Sequence, residues 1–265
     1  MSKSSRAERI RPLRLLLCCC LGLLVTGCSS LPGADLFERQ PAAIGLDSNL
    51  RLAAAALSGG DIDSALRLYR TAVREHPTAV EAHRGLAGAY YAVRAYPEAR
   101  AAYQQWAALD GQDVGPLLGM GRVGLATGDT AKAAEQFQRA LTLDPDNMPA
   151  RNGLAVTLDL SGDHDAAQAI YTELLRRDPA NRAVSNNLAL SLALSGDIET
   201  AIDSLAELAD GPTVIPEARH NLALAYALQG DEGAAQELIR RDLSQRAMDD
   251  TMAFYRRIRS NPLER

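Results

Sequence analysis

One spacing governs this chain, and it is 34 residues. The dipeptide Gly-Asp falls at Gly128-Asp129, Gly162-Asp163, Gly196-Asp197 and Gly230-Asp231, each 34 residues after the last, and Gly60-Asp61 stands two periods before the first. The slot between them holds Arg94-Ala95. Alanine fills one slot in six consecutive units, at Ala65, Ala99, Ala133, Ala167, Ala201 and Ala235. Another column reads Leu52, Leu86, Met120, Leu154, Leu188 and Leu222, and the next Ala53, Ala87, Gly121, Ala155, Ala189 and Ala223. A fourth reads Tyr69, Tyr103, Phe137, Tyr171, Leu205 and Ile239. Pro77, Pro145 and Pro179 close three units, where the others have Gly111, Thr213 and Ala247. A period of this length marks a stacked array, whose units bury their apolar faces only against their neighbours. The 265 residues therefore describe a row of small units and not one or two central cores.

The residue types say what each unit is. Alanine, the best helix former, accounts for 46 positions, while aromatics are only 5%; β-sheets favour β-branched and aromatic residues. Gly at the end of a first helix can take the left-handed cap conformation, and the Asp after it can cap a second. The Leu-Ala pair and the later Ala lie where the two helices come closest, and the aromatic column fills the wider gap toward the next hairpin. Proline or glycine then stops the second helix. This pattern resembles the tetratricopeptide repeat. The resemblance implies an all-α, right-handed superhelix of six hairpins, over 46–79, 80–113, 114–147, 148–181, 182–215 and 216–249. Residues 250–265 then form an amphipathic capping helix and tail, with Met252, Phe254, Tyr255 and Ile258 beside Arg256, Arg257 and Arg259.

The N-terminus reads as an address. Lys3, Arg6, Arg9, Arg11 and Arg14 precede an apolar run from Leu15 to Val25, too short for a bilayer-spanning helix. The run ends in Val25-Thr26-Gly27-Cys28, which resembles the bacterial lipobox. The expectation is a signal peptide over 1–27, lipidation at Cys28 and a tether over 28–45. By resemblance to bacterial lipoprotein sorting, Ser29 in place of Asp implies the outer membrane, with the protein expected on its periplasmic face. Multiple acyl chains suffice for stable anchoring. Cys18, Cys19 and Cys20 leave with the signal, so no thiol remains for a disulfide, zinc or nucleophilic catalysis. Cleavage also removes five of the 28 basic residues and one of the 33 acidic ones. The net charge then falls from −5 to −9, a poor balance for binding nucleic acid.

Catalytic readings fail on context. Gly119-Met120-Gly121-Arg122-Val123-Gly124 matches a dinucleotide fingerprint, but that motif needs a strand before it, and here it lies inside a helix. Each glycine there costs about 1 kcal/mol against alanine, which predicts a weak point in the third unit. His76, His83, His164 and His220 lack metal-ligand spacing. Asp144-Pro145-Asp146-Asn147 lacks the Gly and Glu of a calcium loop. The expectation is a non-enzymatic chain with no cofactor, metal or small-molecule substrate.

A partner would meet the concave face lined by the first helices. In the resembled family, peptides contact defined slots of those helices. Here these slots hold Asn152, Asn186, Asn187, His220 and Asn221, with apolar rows Val156, Leu190, Leu224 and Leu160, Leu194, Leu228. Asparagine can donate to and accept from an extended backbone, and an apolar row can receive its side chains. This places the expected groove on units four to six. Lysine occurs only at Lys3 and Lys132, which argues against capture of a free C-terminal carboxylate.

The stretches Asn186–Gly196 and Asn221–Gly230, with the tail from Asp242 to Arg257, resemble the C-terminal half of the TadD lipoproteins of the tight-adherence (Flp) pilus secretion system. The resemblance covers the lipobox and residues 46–260. It implies pilotin-like adaptor work, in which the groove binds the secretin or another assembly component. A general periplasmic scaffold for another envelope complex would share every one of these features.

Overall fold

The computed structural model describes residues 45–210 and 216–261, and the signal segment, Cys28 and the tether lie outside them. Among the described residues all regular structure is helical. The helices pair as α1 (Leu46–Ser58) with α2 (Ile62–Glu75), α3 (Val80–Ala92) with α4 (Tyr96–Leu109), and α5 (Gly115–Ala126) with α6 (Thr130–Leu143). They continue as α7 (Met148–Leu160) with α8 (His164–Arg177), α9 (Arg182–Ser195) with α10 (Ile198–Asp210), and α11 (Pro216–Gln229) with α12 (Glu232–Ile239). A final helix, α13, spans Gln245–Ser260. Each helix packs on its hairpin partner and on the following hairpin, and the first helices of successive hairpins also touch. The apolar core consequently runs along the array, as stacking requires.

The Gly-Asp columns build the turns. Gly60, Gly128, Gly162, Gly196 and Gly230 all have φ between 73° and 105°, where a Cβ would be strained. The backbone closes as a Schellman turn: Asp129 N donates to the Gly124 carbonyl and Asp163 N to that of Leu158. The same aspartates then accept from the first turn of the next helix, Asp61 from Ser64, Asp129 from Lys132, Asp163 from Ala166 and Asp231 from Ala234. Arg94 occupies the slot that lacks glycine and still adopts φ 59°, alone among non-glycine described residues. Ala95 after it offers no side-chain cap.

The alanine column is fully buried, as close helix contact demands. The aromatic column is buried too, and its neighbours explain several glycines. Tyr69 lies against Gly85, Tyr103 against Gly119, and Phe137 between Gly121 and Gly153. Gly124 faces the backbone of Ala133, where a Cβ would come within 2.9 Å of the amide nitrogen. The glycines of α5 thus have a packing role beside their cost in helix propensity.

The C-terminal end departs from the expected boundary. The sixth hairpin's second helix stops at Ile239, and α13 begins at Gln245, ahead of residue 250. Ser244 sets that start, its hydroxyl accepting from the Ala247 amide. A first helix continuing the array would lie mainly on the preceding second helix. Instead α13 lies mainly on α11, burying Met252, Tyr255 and Ile258.

Candidate partner-binding site

The expected asparagines meet one another across the array. Asn187 Nδ2 donates to Asn152 Oδ1 at 3.1 Å, joining α9 to α7, and Asn221 Nδ2 donates to Asn186 Oδ1 at 3.0 Å, joining α11 to α9. Both pairs span 35 residues. The Tyr255 hydroxyl repeats that offset by donating to the His220 carbonyl at 3.2 Å. The row is therefore first a set of helix-to-helix ties. Asn152, Asn187 and Asn221 stay half-exposed and keep unused amide donors or acceptors, while Asn186 is buried.

The apolar rows divide. Val156 and Leu190 are half-buried and Leu160 is exposed. Leu224 and Leu228 correct the expectation for the sixth unit: they are buried, in one cluster with Met252, Tyr255 and Ile258 of α13. The sixth unit thus presents little of that row to a partner, because α13 packs on α11.

A concavity also lies over units two to four. It encloses about 590 Å³ between α3, α5 and α7. Gly88 leaves room at its surface, Gly153 admits the Phe137 ring, and Tyr103, Trp106 and Phe137 supply aromatic walls. Trp106 is held by its indole N–H, which donates to Asp113 Oδ2 at 3.1 Å, and Gly115 leaves space for the ring. Burial pushes the Tyr103 phenol above its usual pKa, opposed in part by the positive charge of Arg122. Arg84 and Arg122 stand beside the opening, with guanidinium carbons 5.9 Å from the Trp106 ring centre and 5.3 Å from that of Tyr91. Only Asn152 and Val156 of the sequence-selected groove residues also line it. A signal for two of its rings was a glycine column, in which Gly119 and Gly153 stand sixteen residues after Tyr103 and Phe137.

A polar cluster between α7, α8 and α9 was not legible from spacing. Asp159 Oδ1 accepts from the Ser191 hydroxyl at 2.6 Å and sits 2.9 Å from His164 Nδ1. Its Oδ2 accepts from the Tyr171 hydroxyl at 3.0 Å. Burial and the Asp159 carboxylate push the Tyr171 phenol well above its usual pKa. Serine, histidine and aspartate meet here without forming a nucleophilic triad. Ser191 donates to the carboxylate and not to the imidazole, and it is 0% exposed. The cluster ties three helices together. Among the described residues no group of three His, Cys, Asp or Glu side chains can hold a metal ion.

Comparison with known proteins agrees with this geometry. Two tetratricopeptide-repeat models match residues 50–114 and 216–241, and the cytochrome c-type biogenesis protein H TPR domain matches residues 108–211. By fold, the chain is a tetratricopeptide-repeat protein. No curated protein matches it. Among solved structures, a tetratricopeptide repeat protein from Parabacteroides merdae superposes with a TM-score of 0.72 at 14% identity, over 82% of this chain and 87% of that one. PilW, described as a widely conserved type IV pilus biogenesis factor, gives 0.64 at 16%, over 79% and 97%. Pseudomonas aeruginosa pilF gives 0.59 at 17%, over 79% and 97%. Tetratricopeptide superhelices are protein-interaction scaffolds, and these identities speak to the fold alone.

Proposed function

We propose that this tetratricopeptide protein is a lipid-anchored adaptor of a pilus assembly machinery. Cys28 carries the acyl chains at the periplasmic face of the outer membrane, and the concave face binds a segment of the secretin or another component. The observation that carries the reading is the concave surface itself, a wide cleft across three hairpins with aromatic walls and unspent amides. The lipobox-like string before Cys28 and the likeness in fold to PilW and pilF support it. The test is a photo-crosslinking residue at Val156 in the full chain, with adducts identified by mass spectrometry from intact membranes. Adducts with a secretin or pilus component are the expected result. A Cys28→Ser variant that stays in the outer-membrane fraction would refute the anchor.

A second reading has its own support. The match of residues 108–211 to the cytochrome c-type biogenesis protein H TPR domain favours a scaffold for another envelope assembly. Val156 adducts with cytochrome maturation components, and none with pilus proteins, would decide for it.

A further inference from the structure

Arg84 and Arg122 set the chemistry of the cleft over units two to four. Most other described arginines are hydrogen-bonded or ion-paired, as Arg177 is to Asp146 and Glu173 and Arg219 is to Asp242. Arg84 and Arg122 are exposed, and no described carboxylate lies within 4 Å of either. Both stand over aromatic faces instead. A guanidinium seated on a ring is partly ordered already, so pairing with a carboxylate forfeits little entropy; Arg122 also hydrogen-bonds the Tyr103 hydroxyl and keeps its remaining N–H donors for a ligand. On a chain of net charge −5, two such cations at one apolar cleft are an electrostatic exception. The cleft is lined mainly by apolar surface and is large enough for several side chains of a bound segment.

We propose that this cleft takes an acidic–apolar segment of a partner protein. An aromatic or large aliphatic anchor enters against Trp106 and Phe137, and a neighbouring Asp or Glu pairs with Arg84 or Arg122. This deepens the adaptor reading above and rests on it.

Gly88 provides a way to obstruct the cleft. It lines the cavity, and a Cβ added there meets nothing within 4 Å. Gly88→Leu therefore puts an aliphatic side chain into the cleft from a position whose Cβ is unopposed. The experiment is selection of a displayed random dodecapeptide library on the full chain in detergent, with Gly88→Leu as counter-selection. Expected peptides carry an aromatic or large aliphatic residue within two positions of Asp or Glu. Their affinity falls at least tenfold for Arg84→Gln combined with Arg122→Gln and for Gly88→Leu, while circular dichroism and melting of both variants stay native-like. No enrichment over the counter-selection, or enriched peptides without acidic residues, overturns the proposal. Peptides recovered before the counter-selection that bind Gly88→Leu as well as wild type but are lost on Leu190→Asp overturn it while leaving groove recognition intact. A concentration-dependent dimer abolished by Gly88→Leu would assign the cleft to a second copy and equally overturn it.

Discussion

The ring of Tyr103 rests where a side chain of Gly119 would be, sixteen residues further along. The same contact recurs between Tyr69 and Gly85 and between Phe137 and Gly153. Gly119→Ala gains helix propensity of about 1 kcal/mol, but its methyl would drive into a buried ring, an overpacking cost of about 1–3 kcal/mol or more. The expected net effect is destabilisation, read as a lower urea midpoint. Gly88→Ala, which meets open space on α3, should instead stabilise by up to about 1 kcal/mol. Equal responses of the two variants would refute the packing argument.

Arg94 sits at φ 59° in a slot that glycine fills in the other turns, and Ala95 leaves α4 without a side-chain cap. The left-handed conformation costs a residue with a Cβ about 1–2 kcal/mol. Arg94→Gly should raise stability by about 1 kcal/mol, and Ala95→Asp by about 0.5–2 kcal/mol. Thermal melts of the two single variants and the double variant check both.

Removing Asp159 strands two buried hydroxyls, those of Ser191 and Tyr171. Each unpaired buried donor costs about 1–3 kcal/mol, so Asp159→Ala should lose about 2–6 kcal/mol. Ser191→Ala removes a donor and leaves the carboxylate its other partners, so it should lose far less. Similar losses for the two would refute the network.

Glu173 is held at a pKa of about 2 by hydrogen bonds from Arg176 and then Arg177. A carboxylate whose folded pKa is lowered stabilises the fold above its unfolded pKa, here near 4.5, and loses that contribution as pH falls toward about 2. Wild type should be more stable than Glu173→Gln at pH 6, with the gap closing between pH 4.5 and 2. Denaturant midpoints across that window measure it; a constant gap would refute the assignment.

The hairpins were legible because their signals are local. A Gly-Asp pair sets a turn and a cap within a few residues, so Gly162-Asp163 can be read without a partner. The cleft was less legible because it is built from missing side chains. Asparagine and leucine drew attention to units four to six, where Asn187 and Asn221 tie helices together and Leu224 is covered. Gly88 and Gly153 carry no polar signal, although the column that includes Gly153 could have been paired with the rings. Asp159, His164, Tyr171 and Ser191 come from three helices, and no short spacing announces them. The start of α13 depended on Ser244, one cap among many candidate serines.

An array in which each unit offers its neighbour the same face has no built-in reason to stop growing. A bare end invites the front of another molecule, and such head-to-tail contacts propagate into filaments unless something closes them. By turning onto α11 and pairing Arg256 and Arg259 with Glu232 of α12, α13 covers part of that repeating surface. The apolar face of α11 is thereby spent inside the molecule and is not open to another copy.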